Sequence, residues 1–177
     1  MHDLIIKSAR ICDGLGTPTF MGDLAVTDGR ITGIGKALGA TKESIDADGL
    51  VLAPGIIDTH THYDAQITWD AMATPSTTLG VTTVIMGNCG FTIAPARPQH
   101  RDRIMRNLTQ VEGMSLAALR GGIRWDFESF PEYMNMLERQ GTGPNVVVFV
   151  GHSSVRTYVL GDDASSRTAT DAEIATM

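Results

Sequence analysis

The chain has 177 residues, 42% of them hydrophobic and 19% charged, with a mean hydropathy near zero; this is the composition of a globular protein with enough apolar material for a core, and it excludes a wholly disordered chain. A net charge of −6, with no Lys/Arg cluster denser than the scattered HRDRIMR stretch, excludes the electrostatic footprint of a nucleic-acid binder and points to a small-molecule substrate. No 18-residue apolar run suggests a membrane span, and Lys7 and Arg10 interrupt the N-terminal stretch MHDLIIKSARICDG, unlike a secretory signal, so the expected location is the cytoplasm, with Cys12 and Cys89 as free thiols.

Along the chain, residues 1 to about 50 carry short β-type segments. LIIKSARI comes first, and DLAVTDGRITGIG follows with Asp28-Gly29 as a hairpin turn between two alternating runs. This part reads as a small antiparallel β unit. From residue 50 the pattern changes, because VLAPGIID, VTTVIM and NVVVFVG are near-continuous apolar runs, the kind found in strands covered on both faces.

Helical material lies between these runs. RDRIMRNLTQVEGMSLAALRGG predicts one or two helices closing at Gly121-Gly122, and Ser129 with Glu132 forms a capping-box pattern opening a helix that stops at Gly141. Strands alternating with helices predict a parallel α/β sheet or barrel. A second capping-box pattern, Thr170 with Glu173, announces a helix about one turn before the sequence stops at Met177. A helix begun so late has little left to pack against, so the chain reads as the N-terminal part of a longer protein.

The chemistry gathers where the apolar runs end. HTHYD at 60–64 follows VLAPGIID, and in a strand His60 and His62 point the same way from neighbouring pleats, which is the geometry of paired metal ligands. With 5 histidines in 177 residues, chance alone rarely produces an HxH. GNCG at 87–90 follows VTTVIM in the same manner and puts Cys89 just beyond a strand's C-terminal end. On its own such a cysteine is more readily a small buried hydrophobe. In parallel α/β barrels, however, the C-terminal strand ends meet at one mouth, and imidazole with thiolate favours zinc over magnesium or calcium.

GHSSVR at 151–156 ends the third run. It brings His152 to the same rim, where it would hydrogen-bond to a ligand, contact substrate or serve the fold. Arg156 is suited to a substrate carboxylate and equally to a structural ion pair. Asp58 and Asp64 share the strand parity of the two histidines and are candidates to orient them, although a turn after His62 would break that parity for Asp64.

The order VLAPGIIDTHTHYD, PSTTLGVTTVIMGNCGFTIAP, WDFESFPEYMNMLERQG and VFVGHSSVR resembles the N-acyl-D-amino-acid deacylases (D-aminoacylases) of the metal-dependent amidohydrolase superfamily, over nearly the whole chain. VTTVIMGNCG carries the sharper part of the resemblance, since it is similar to the segment where that family places a metal-binding cysteine. The resemblance implies a (β/α)8 TIM-type barrel, here its first strands over residues 53–177, preceded by an N-terminal β-sandwich portion over residues 1–52. It implies that His60 and His62 belong to one zinc position and Cys89 to an adjacent, tighter one. It also implies further histidine ligands and a catalytic aspartate beyond Met177, and an N-acyl-D-amino acid as the small-molecule substrate, cleaved to a carboxylate and a free D-amino acid. On this expectation the 177 residues alone are inactive and need the remainder of their own chain to complete the barrel. Two alternatives stand beside it: another amidohydrolase chemistry, acting on cyclic amides or ureides or deaminating a heterocycle, and a non-catalytic metal-binding module.

Overall fold

In a computed structural model that describes residues 1–177, the chain divides into two compact units, Met1–Pro54 and Gly55–Met177. The first is a single sheet built on β1 (His2–Ile11), with β2 (Phe20–Thr27), β3 (Arg30–Gly35), β4 (Thr41–Asp46) and the short β5 (Val51–Leu52). Asp28 and Gly29 both take positive φ, 51° and 70°, and close the β2–β3 hairpin as expected for an Asp-Gly turn. The expected wholly antiparallel unit is corrected in one respect: the second edge of β1 is shared by β4 and β5, and both run parallel to it. Pairing order between strands distant in sequence is not written in local alternation.

A bulge between Ile6 and Ala9 interrupts the β1–β2 ladder. Ser8 sits there with φ 56°, and its amide donates to Asp23 Oδ1 at 2.9 Å. A side chain thus supplies the acceptor that the displaced ladder does not. His2 is tied to this sheet: its ring nitrogens lie 2.9 Å from Thr27 Oγ1 and from the carbonyl of Leu38.

The second unit carries a parallel sheet in the order β6 (Ile56–Thr61), β7 (Val81–Met86), β8 (Asn145–Val148). The run VLAPGIID is therefore not one strand. Pro54 has no amide to give a ladder, so the chain leaves the first sheet after Leu52 and starts β6 at Ile56. The helices of this unit are α1 (Arg101–Glu112), α2 (Leu116–Gly122), α3 (Phe130–Gln140), α4 (His152–Leu160) and α5 (Asp171–Thr176).

Gly113, left-handed at φ 67°, separates α1 from α2. Ser129 caps α3 and Thr170 caps α5 through complete capping boxes with Glu132 and Glu173. The core of this unit forms where α1 buries Ile104, Met105 and Leu108 and α3 buries Tyr133, Met136 and Leu137, together with Ile67, Met86 and Ile93. Coverage of the strands on both faces is not what the chain shows: Ile56, Ile57 and Val147 are exposed.

Candidate metal centre

β6 and β7 are parallel neighbours, so their C-terminal ends lie at the same edge of the sheet. His60 is the penultimate residue of β6, and His62 follows directly after its end at Thr61. Beyond β7 the chain reverses through Gly87-Asn88-Cys89-Gly90, closed by a hydrogen bond from the Gly90 amide to the Gly87 carbonyl at 3.0 Å. Gly87 has φ 79°, and a Cβ there would stand 2.5 Å from the Phe149 carbonyl oxygen. Only glycine meets both demands.

This arrangement brings three ligand-type side chains together. One donor atom from each of His60, His62 and Cys89 lies within 4.8 Å of the others. Cys89 Sγ is 3.7 Å from His62 Nδ1, and the two imidazole centroids are 5.3 Å apart. A tetrahedral zinc at ordinary bond lengths spaces its nitrogen and sulfur ligands about 3.6 Å apart, so this nitrogen–sulfur pair is set at the spacing one ion requires. Two imidazoles and a thiol are the donor set zinc prefers, and three protein ligands leave a position open. The residues present fit such an ion.

His60 is exposed, while His62 and Cys89 are half-buried. Partial burial, with the His60 ring beside it as a smaller cause, holds the His62 pKa below the ordinary histidine value. Asp58 Oδ1 accepts a hydrogen bond from the His60 amide at 3.2 Å and so fixes the backbone of the strand end rather than the ring. An open cleft of about 360 Å³, lined among others by Asp58, His60, His62, Tyr63, Glu112 and Met114, adjoins the imidazoles.

Two carboxylates close to this cleft have no hydrogen-bond partner. Asp64 is 1% exposed, and both its oxygens and both those of Glu112 are buried and unpaired. Burial pushes the Asp64 pKa up to about 7; burial, with Asp64 nearby, pushes Glu112 up to about 8. The sequence points to Asp64 as a possible orienter of the histidines, but its carboxylate reaches neither ring by a hydrogen bond, while its backbone carbonyl accepts from the Tyr133 hydroxyl at 2.9 Å. Glu112 is a residue that sequence reasoning missed. The signal for it is an acidic residue in the last turn of a helix, where the dipole disfavours negative charge.

His152 and Arg156 are not among the three clustered donors, although the start of α4 is tied to the cysteine turn by the Ser153 amide, which donates to the Gly90 carbonyl at 2.9 Å. His152 opens α4 as an exposed residue. With Arg103, Arg156 and Phe91 it lines a different cleft of about 260 Å³. The Arg156 guanidinium is committed to the chain itself, donating to the carbonyls of Ala164 and Arg167.

The amidohydrolase family profile matches residues 43–177. An N-acyl-D-aspartate deacylase of Alcaligenes xylosoxydans xylosoxydans is 38% identical over 176 residues, which is 99% of this chain and 33% of the relative. Among solved structures, a D-aminoacylase described for its binuclear metal centre superimposes with a TM-score of 0.80 at 31% identity, covering 99% of this chain and 35% of that one. The N-acyl-D-glutamate deacylase of Bordetella bronchiseptica, solved with zinc and a phosphonate that mimics the tetrahedral intermediate, superimposes with a TM-score of 0.74 at 30% identity, covering 99% of this chain and 34% of that one. The chain therefore spans about a third of the length of these relatives, and its α/β fold is that of the amidohydrolase barrels. With three-quarters of its residues inside the family profile and nearly its whole length shared with the deacylases, the chain belongs to the amidohydrolase family.

Proposed function

We propose that this chain is the part of a zinc-dependent N-acyl-D-amino-acid deacylase that presents His60, His62 and Cys89 to the metal. The proposal concerns a polypeptide of the relatives' length that contains this segment, because the chain spans only about a third of them. The observation that carries it is the Cys89 thiol 3.7 Å from an imidazole of the HxH pair, in a chain related to enzymes that deacylate N-acyl-D-amino acids.

The residues' own part is to bind and orient. Ligation needs neutral imidazoles and an ionised thiol. The lowered His62 pKa keeps that ring in its ligating form through the neutral range. The open side of the cluster faces solvent at His60, where a water and an acyl carbonyl have room to approach. The chemistry such an ion supplies is Lewis acidity at that water and that carbonyl. Tyr63 and Met114 give the adjoining cleft an amphipathic wall with room for a small N-acyl amino acid. The base that takes the water's proton is assigned to none of residues 1–177.

The test is turnover by the zinc-loaded long polypeptide, with N-acetyl-D-methionine, N-acetyl-D-aspartate and N-acetyl-D-glutamate set against their L-enantiomers and hydantoin. Release of free amine from at least one D-substrate, with the L-forms and hydantoin spared, is expected. Ring opening of hydantoin without any deacylation would overturn the proposal in favour of cyclic-amide hydrolysis.

A further inference from the structure

The ladder between β6 and β7 slips twice. Ile56 pairs with Val81, but Ile57 pairs with Thr83 and Asp58 with Val84; the pairing then returns to its first offset at Thr61 and Met86. The second slip places two residues of β6, Thr59 and His60, opposite the single residue Ile85. An extra residue of this kind re-aims the side chains beyond it, because a one-residue shift exchanges the faces of a strand. The bulge falls on His60 itself and ends two residues before His62.

Two side chains grip the carbonyls on either side of this bulge. Thr61 Oγ1 donates to the Ile85 carbonyl at 2.9 Å, and Asn88 Nδ2 donates to the Thr59 carbonyl at 2.9 Å. Both donors are immediate neighbours of the proposed ligands. Thr61, 6% exposed, separates the two histidines in the chain, and Asn88 precedes Cys89 in the turn. The Asn88 bond is the more telling one, since it ties the thiol's turn directly to the backbone carrying the histidines.

We infer that Thr61 and Asn88 are positioning residues that lock the Thr59–His60 bulge and thereby hold His60 and His62 opposite Cys89. The inference rests on the reading of those three residues as a metal site. Neither residue is one of the three proposed ligands, although Thr61 also lines the cleft beside them. Their effect is on how well the two strand ends agree on one point in space, in the way that residues behind metal ligands commonly set affinity.

The experiment uses the long polypeptide and reads Zn2+ affinity by competition with a chelator, the visible spectrum of the Co2+-substituted protein, and thermal unfolding of the metal-free form. Asn88→Ala and Thr61→Val are each expected to weaken Zn2+ binding about tenfold or more and to alter the sulfur-to-cobalt charge-transfer band. Thr61→Ser, which keeps the hydroxyl donor, is expected to restore affinity and spectrum. Parental affinity and spectrum in both Asn88→Ala and Thr61→Val would overturn the latch. So would equal losses in Thr61→Val and Thr61→Ser that follow a fall in Tm, because the effect would then be general packing. Cys89→Ala separates the two levels: if it binds Zn2+ as tightly as the parent, the metal-site reading itself fails, whatever Asn88 does.

Discussion

Cys89 Sγ stands 3.7 Å from His62 Nδ1 although 27 residues separate them, because β6 and β7 lie side by side, run in the same direction and end at one edge. Nothing else in the chain brings two nitrogen donors and a sulfur donor so close. The contact makes the state of the His62 ring measurable in its own right. In the metal-free protein His62 is expected to titrate below the ordinary histidine value of about 6.5, because burial disfavours its charged form and His60 adds a smaller repulsion. His60→Ala should move the midpoint upward but leave it depressed, as burial is the larger cause. An NMR titration of the imidazole protons reads this, and a normal midpoint in the parent would contradict the assignment.

Asp64 and Glu112 make the metal-free fold sensitive to pH in the opposite sense from paired surface carboxylates. Their folded pKa values, about 7 and about 8, lie above those of an unfolded chain, so the fold favours their protonated forms. The stability they contribute is fully present below about pH 4 and is lost as the pH rises through about 8. Urea unfolding in chelator between pH 5 and 9 should show declining stability. Asp64→Asn and Glu112→Gln should each flatten that decline, and an unchanged slope in both would rule out the two buried carboxyls as its cause.

Gly87 and Gly90 offer a paired test of the cysteine turn. Both have positive φ, 79° and 85°, so alanine at either site is strained, at a cost of about 1 kcal/mol. At Gly90 the added Cβ meets nothing within 4 Å, whereas at Gly87 it meets the Phe149 carbonyl and the Thr92 methyl, 2.5 and 2.7 Å away. Gly87→Ala should therefore destabilise clearly more than Gly90→Ala in thermal unfolding. Equal losses would mean that the turn is not packed as described.

The start of α3 provides a purely local prediction. Ser129 accepts from the Glu132 amide while the Glu132 carboxylate accepts from the Ser129 amide at 2.8 Å. Ser129→Ala should cost about 1 kcal/mol and leave zinc binding unchanged, as measured by denaturant unfolding alongside metal titration.

What the sequence made legible follows from how local each signal is. The Asp28-Gly29 hairpin and both capping boxes are decided by residues within three or four positions, and the structure has them where the sequence puts them. The strand ends that carry His60, His62 and Cys89 are readable from apolar runs that stop at polar clusters. The parallel pairing of β4 and β5 with β1 depends on which distant strand accepts a backbone, and local pattern is silent on that, whereas the break of VLAPGIID is marked locally by Pro54. The bulge at Thr59–His60 and the unpaired carboxylates of Asp64 and Glu112 are hidden for the same reason: each exists only once β6, β7 and α1 are packed. Arg156, a carboxylate binder by chemistry, satisfies two carbonyls of its own chain instead.

The proposed zinc centre takes the Cys89 thiolate and the HxH imidazoles together. X-ray absorption at the zinc edge of the loaded long polypeptide tests it most directly. The predicted spectrum contains a sulfur scatterer at about 2.3 Å beside nitrogen scatterers at about 2.0–2.1 Å, with the sulfur shell absent in Cys89→Ala and the nitrogen shell reduced in His62→Ala. A shell of nitrogen and oxygen only, identical in the parent and in Cys89→Ala, would contradict the claim.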